Sequence, residues 1–333
     1  MKYNLLGKTG LKVSEMCLGT MTFGGREVIG NLGQDEANDL VSRALDAGVN
    51  FFDTADAYSR TKAEGMLGKA LGPRRSEVVI ATKVRIETGP GPNDLGLSRG
   101  HILSAVDASL KRLETDYIDL YQVHLPDNLT PLEETLRALD DVVRWGKVRY
   151  IGVSNFPAWM LMKALGISDR HGWARFVCLQ AHYTLIERSL EREIIPALLD
   201  QGLGLMIWSP LAGGFLSGKV TREGDAPEGS RRASFDFPPI HNRDHAFDVV
   251  DVMREVAAEQ GVSVARIGLA WTLHQPAVTS VIIGAKRADQ LDDNLKAADV
   301  RLTDDQLARL DKVSALSSEY PAWMLEHPWD DRV

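Results

Sequence analysis

Eight times along this chain, a short run of β-branched and apolar residues gives way to a stretch with helical spacing of its apolar positions. No other feature constrains the fold as much. The strand-like runs fall at 17–19, 50–53, 78–83, 117–124, 148–153, 176–181, 203–208 and 278–283. The helical stretches that follow them fall at 35–47, 61–71, 98–113, onward from 130, and at 157–165, 191–201, 245–260 and 288–297. Thr130-Pro131 with Glu133 and Glu134 is a helix opening, with a cap, a first-turn proline and early acids. Eight consecutive βα units predict a (β/α)8 TIM barrel rather than an open sheet. The length of 333 residues suits one such barrel, and no composition shift marks a linker, so residues 1–333 are expected to form a single barrel domain.

Two additions lie outside the eightfold rhythm. Asn4-Leu5-Leu6 and Leu11-Lys12-Val13, joined through Lys8-Thr9-Gly10, predict an N-terminal β-hairpin placed to plug the barrel's N-terminal end. Residues 304–314 predict an extra C-terminal helix, followed by a tail with Tyr320, Trp323 and Trp329. The connections 84–97 and 212–243 are long and follow strands, which puts them on the face where a barrel builds its site.

Composition excludes several classes. The net charge of −8 gives no electrostatic case for nucleic acid or an anionic membrane. No apolar run nears the roughly 20 residues that span a bilayer, and the first residues lack a secretory h-region. Cys17 and Cys178, each inside a strand-like run, read as buried thiols of a reducing cytoplasm. The sequon Asn128-Leu129-Thr130 carries little weight without a signal peptide.

Chemistry gathers at the strand ends. Asn50-Phe51-Phe52-Asp53 delivers a carboxylate, and Tyr58 follows five residues later. The third run ends in Lys83 and the fourth in His124. On a parallel barrel these ends share one rim, so the four side chains converge. A phenol of pKa about 10 is a poor acid at neutral pH, and a neighbouring ammonium stabilises phenolate. Lys83 can be that ammonium, with Asp53 holding it charged. His124 can donate a hydrogen bond to a carbonyl oxygen or pass a proton. The set suits protonation of an oxygen that is gaining negative charge, and it lacks a full set of metal ligands.

These residues carry a resemblance. The chain is similar from end to end to the aldo-keto reductase superfamily. The opening Leu5-Gly7-Lys8-Thr9-Gly10-Leu11-Val13-Ser14 with Leu18-Gly19-Thr20 resembles the family's N-terminal pattern, and Asp53, Tyr58, Lys83 and His124 match its catalytic tetrad. Gly96-Leu97-Ser98-Arg99 and His101-Ile102 resemble the branch of bacterial reductases and potassium-channel β-subunits. The resemblance implies an NADPH/NADP+-dependent oxidoreductase acting reversibly on small-molecule carbonyls and alcohols. Tyr58 would be its general acid, Lys83 and Asp53 would lower the tyrosine's pKa, and His124 would orient the carbonyl. The alternative it implies is a cofactor-binding regulatory subunit. Channel β-subunits lack the tetrad histidine, whereas this chain keeps His124.

By position, the same resemblance implies the cofactor contacts. Gly19, Thr20 and Met21 lie near the nicotinamide, and Ser154, Asn155 and Gln180 hold its carboxamide. Trp208 stacks on the ring, followed by Ser209, Pro210, Leu211, Ala212 and Gly213. Ser217, Gly218, Lys219 and Arg232 line the pyrophosphate and adenosine side. Gly284, Lys286, Gln290, Asp293 and Asn294 grip the adenosine end, with Lys286 and Arg232 as cations for a 2′-phosphate. Gln290 stands where some branches place an arginine. Phe23, Tyr58, Arg85 and His124 are expected to shape the substrate pocket. No metal is implied: His241 and His245 lack a third ligand, and the near P-loop 213–220 has Val220 where Ser or Thr should reach magnesium. Physiological substrate and oligomeric state are left open.

Overall fold

The computed structural model describes residues 1–25, 29–222, 224 and 230–325. Its first element is an antiparallel hairpin, β1 (Tyr3–Leu5) with β2 (Lys12–Ser14), in which Asn4 faces Val13. Among the described residues, eight further strands close a barrel. They are β3 (Met16–Gly19), β4 (Phe51–Asp53), β5 (Val79–Val84), β6 (Ile118–Val123), β7 (Val148–Ser154), β8 (Phe176–His182), β9 (Gly204–Trp208) and β10 (Val278–Ile283). Neighbours in the barrel are neighbours in sequence, every pair is parallel, and β10 closes on β3.

The helices between and after the strands are α1 (Gln34–Asp46), α2 (Lys62–Leu71), α3 (Arg99–Leu113), α4 (Leu132–Arg144), α5 (Ala158–His171), α6 (Ile194–Gln201), α7 (Arg231–Ser234), α8 (Arg243–Gln260), α9 (Val264–His274), α10 (Ala288–Leu295), α11 (Asp304–Val313) and α12 (Ala322–Leu325). Among the described residues, no helix is long and apolar enough to cross a membrane.

Strand parity divides the core into two layers. Met16, Leu18, Phe52, Ile80, Tyr121 and Val123 point outward and pack beneath the helices. Cys17, Phe51, Ala81, Leu120, Cys178 and Met206 fill the barrel with Leu6 and Val13 of the hairpin. Two residues further along these strands come Asp53, Lys83, Gln122, Gln180 and Trp208. The apolar interior thus gives way to a polar layer at the C-terminal rim. Apolar packing below removes water from that layer, which strengthens every charge interaction within it.

The hairpin plugs the opposite end, as the sequence predicts. Lys8 N donates to Gly202 O at 2.9 Å and Asn4 Nδ2 to Thr279 O at 2.8 Å, both near strand N-termini. Gly7 makes this closure possible. Its φ is +60°, and a Cβ there would sit 2.6 Å from Val177 O.

Two details differ from the sequence reading. Helix α9 intervenes between α8 and β10, capped by Ser263, whose Oγ accepts from Arg266 N. Residues 189–191 form a separate 3-10 turn, so α6 starts at Ile194. Trp329 of the tail, and residues 223 and 225–229 of the 212–243 connection, lie outside the described residues.

Candidate active site

The four strand-end residues converge. Lys83 has no exposed surface, and its Nζ donates to Asp53 Oδ1 at 2.5 Å and to Thr54 O at 2.8 Å. The same nitrogen lies 3.3 Å from the Tyr58 hydroxyl. Asp53 Oδ2 accepts from Gln180 Nε2 at 2.8 Å and Gln122 Nε2 at 3.3 Å, so both carboxylate oxygens are occupied. Burial alone would pull the lysine pKa down. The adjacent Asp53 carboxylate and Tyr58 outweigh it, and the ammonium is held above its ordinary value. The result is a cation held in position against the tyrosine oxygen.

His124 completes the group. Its ring meets that of Tyr58 edge-on at 5.7 Å between centroids. Burial first, then Lys83 and Arg85, push its pKa down to about 3. The imidazole is therefore neutral, a hydrogen-bond donor rather than a proton carrier.

Backbone conformation re-aims the chain at the rim. Arg85, Asn155 and Ser209 are the first residues after β5, β7 and β9, with φ of 130°, 58° and 50°. Positive φ at non-glycine residues carries strain and clusters at functional sites. At Asn155 it turns the side chain into a bracket. Nδ2 donates to His124 O at 3.0 Å, and Oδ1 accepts from Trp208 Nε1 at 3.0 Å. The Trp208 indole has two aromatic neighbours, His182 stacked at 4.6 Å and Phe237 parallel at 5.8 Å.

A cavity of about 1000 Å³ runs from Asp53, Tyr58 and His124 past Trp208 to the start of α10. It is wide enough for a dinucleotide, being at the upper end of ordinary ligand pockets. Of the expected cofactor residues, Gly19, Met21, Ser154, Asn155, Gln180, Trp208, Ser209, Pro210, Leu211, Gly213, Ser217, Lys219, Arg232, Gly284, Lys286, Gln290, Asp293 and Asn294 all line it. A Cβ on Gly284 would enter open space, so the wall there is bare backbone. Amides near the tetrad, a planar indole and cations at the far end suit a carboxamide, an aromatic ring and phosphates respectively.

The sequence profile of the Aldo/keto reductase family matches residues 15–315. The chain belongs to this family. It is 42% identical to a probable voltage-gated potassium channel β-subunit of Arabidopsis thaliana, over 90% of this chain and 92% of that protein. It is 40% identical to an uncharacterized oxidoreductase of Bacillus subtilis, and 38% to the versiconal hemiacetal acetate reductase of Aspergillus parasiticus. Each of these two matches covers 94% of this chain and 96% of the relative.

Several expected residues of this aldo-keto reductase stand elsewhere. Phe23 is fully buried in the outer core and does not reach the cavity. The bridge from Phe23 to Leu32 folds its loop inward. Arg85 sits beside His124 but off the cavity wall, and its Nε is buried without a hydrogen bond. Thr20 donates both N and Oγ1 to Asp53 O, anchoring the carboxylate's strand rather than lining the cavity. Ala212 and Gly218 are likewise off the wall.

Arg232 is a clamp. Its guanidinium donates to Ala212 O and Pro238 O, each at 2.7 Å, and pairs with Asp236. Its Nε makes no hydrogen bond, and the residue still lines the cavity. Asp293 is held by Arg266 and Ser263 of the unforeseen helix α9. Ser263, Ala265 and Leu269 consequently line the cavity, as do Ile29, Ala57, Ile86, Leu125, Phe237 and Arg287. A serine followed by an amphipathic run was the available signal for α9.

Proposed function

We propose that this aldo-keto reductase is an NADPH-dependent enzyme that reduces aldehydes or ketones to alcohols, reversibly, as a single cytoplasmic domain. The observation that carries this reading is the buried Asp53–Lys83 pair aimed at the Tyr58 hydroxyl. A bound nicotinamide dinucleotide supplies or accepts the hydride. All else falls to the chain's own side chains. Tyr58 Oη gives its proton to the carbonyl oxygen as that oxygen becomes an alkoxide. Lys83 stabilises the phenolate left behind, and Asp53 keeps Lys83 charged and still. Neutral His124 donates a hydrogen bond to the same carbonyl oxygen and so orients it. In the oxidative direction Tyr58 is the base.

Ser154, Asn155 and Gln180 would hold the nicotinamide carboxamide, and Trp208 its ring. Preference for the 2′-phosphate would come from Lys286 and Arg232, both on the cavity wall, with Arg287 beside them. Met21, Ala57, Ile86, Leu125 and Phe237 make the tetrad end of the cavity apolar, which favours a carbonyl compound of some bulk.

The second reading, a regulatory subunit without turnover, is favoured by the relatives named as channel β-subunits. Consumption of NADPH with 4-nitrobenzaldehyde, then with a wider aldehyde and ketone panel, separates the two. Turnover supports the reductase. Tight cofactor binding with no turnover across the panel supports the subunit.

A further inference from the structure

The layer between strands β4–β6 and helices α2–α3 holds two acids in opposite situations. Glu64 is fully buried, and its oxygens accept from Thr82 Oγ1 at 2.5 Å and Arg112 Nε at 2.6 Å. Asp56 is equally buried, yet neither of its side-chain oxygens meets a side-chain donor, and only the backbone amide of Ala57 faces the carboxyl group. The hydroxyls of Thr54 and Tyr121 are buried in the same condition. A carboxylate so short of donors is disfavoured there, which favours the protonated acid. Tyr121 is near enough to feel the charge of Asp56, and an internal water joining such groups needs two to four polar partners.

Asp56 also lies on the loop that joins Asp53 to Tyr58. Its N donates to Lys83 O at 3.2 Å, while Lys83 Nζ donates to Thr54 O at 2.8 Å. The loop is thus stitched to Lys83 from two directions. We propose that Asp56 is a positioning residue for the Lys83–Tyr58 pair. As a neutral acid, bridged through an internal water to Tyr121 and Thr54, it holds the 54–58 loop and keeps a second negative charge from the proton-donating tyrosine. The kinetic part of this proposal rests on the reductase reading.

The charged and titratable groups facing Asp56 are Glu64 on α2, Arg112 on α3, Lys83 on β5 and Tyr121 on β6; Asp107 on α3 acts on Tyr121, and Asp53 and Tyr58 stand at the two ends of its loop. Burial, then Glu64, raise its pKa to about 8, against the opposing pull of Arg112, the Ala57 backbone amide and Lys83. Ionisation would set a negative charge behind the loop and disfavour the Tyr58 phenolate. It would also cost stability. The folded pKa lies above the unfolded one, so the contribution is complete below about pH 4 and is lost as pH rises to about 8.

The experiment compares wild type with Asp56→Asn, which is isosteric and always neutral. By infrared spectroscopy, wild type should show a carboxylic-acid C=O band at pH 7 that disappears as pH passes about 8. The Asn variant should lack it. Wild type should lose stability relative to the variant between about pH 4 and 8. Tyrosinate absorbance, with Tyr58→Phe subtracted, should show Tyr58 titrating at lower pH in the Asn variant. In the reductive direction, kcat of wild type should fall above about pH 8 while that of the variant persists, with KM unchanged in both.

A wild-type spectrum with only carboxylate at pH 7 would overturn the proposal, as would superimposable tyrosine titrations. The infrared titration of wild type decides the protonation state even where the variant fails to fold. The infrared, stability and tyrosine readings need no substrate, so a failure of the reductase reading is distinguishable from a failure of this one.

Discussion

Lys83→Met removes the ammonium while keeping most of the side chain's volume. At an effective dielectric of about 20, a unit charge 3.3 Å from the phenolic oxygen stabilises phenolate by roughly 5 kcal/mol. Proton transfer is partial in the transition state, so roughly half of that, ~2.5 kcal/mol, should reach the barrier. The expected loss in kcat is about 50- to 100-fold. Lys83 has no exposed surface, so KM and cofactor affinity should change little. With the cation gone, Tyr58 holds its proton to higher pH, and the alkaline limb of the reductive profile should move upward. The assay is NADPH absorbance with an aldehyde from pH 6 to 10, with cofactor binding followed by tryptophan fluorescence. A folded variant within threefold of wild type, or one whose alkaline limb stays in place, would refute the reasoning.

Three further outcomes are expected. His124 is neutral down to about pH 3, so kcat/KM should show no ionisation step near 6.5; a step there that His124→Gln removes would contradict its role as a neutral donor. Trp208→Ala removes the aromatic wall and should weaken NADPH binding by about 0.5–1.5 kcal/mol, a 2- to 12-fold rise in Kd by fluorescence-independent calorimetry. Gly7→Ala forces a Cβ to 2.6 Å from Val177 O at positive φ and should lower stability by about 1–3 kcal/mol in urea unfolding, with kcat preserved because the hairpin is at the far end of the barrel.

The barrel was legible in the sequence because its strands are buried on both faces. They read as short apolar runs that end at the residues carrying the chemistry. Asp53, Lys83 and His124 stood out because charge at the end of such a run is costly unless it is used. Helix α9 was less visible. It follows α8 after only Gly261, Val262 and Ser263, and a single helix per unit already satisfied the rhythm.

Side-chain direction beyond the strands was not legible. Phe23 could face the cavity or the core, and only the return of its loop to Leu32 turns it inward. Arg232 read as a phosphate ligand, and nothing in the sequence shows that Ala212 and Pro238 also bring their carbonyls to it. Nothing in the sequence distinguishes Asp56 from an ordinary loop carboxylate. Its burial against Glu64 and Tyr121 depends on three separate strands and two helices packing together.

The central claim is that Tyr58 is the proton donor of a nicotinamide-dependent reduction. Single-turnover reduction of an aldehyde by the Tyr58→Phe variant, saturated with NADPH, tests it most directly. The rate should fall by about 10²- to 10⁴-fold, with cofactor Kd within about twofold of wild type. A Tyr58→Phe enzyme that reduces the aldehyde at a near-wild-type rate would contradict it.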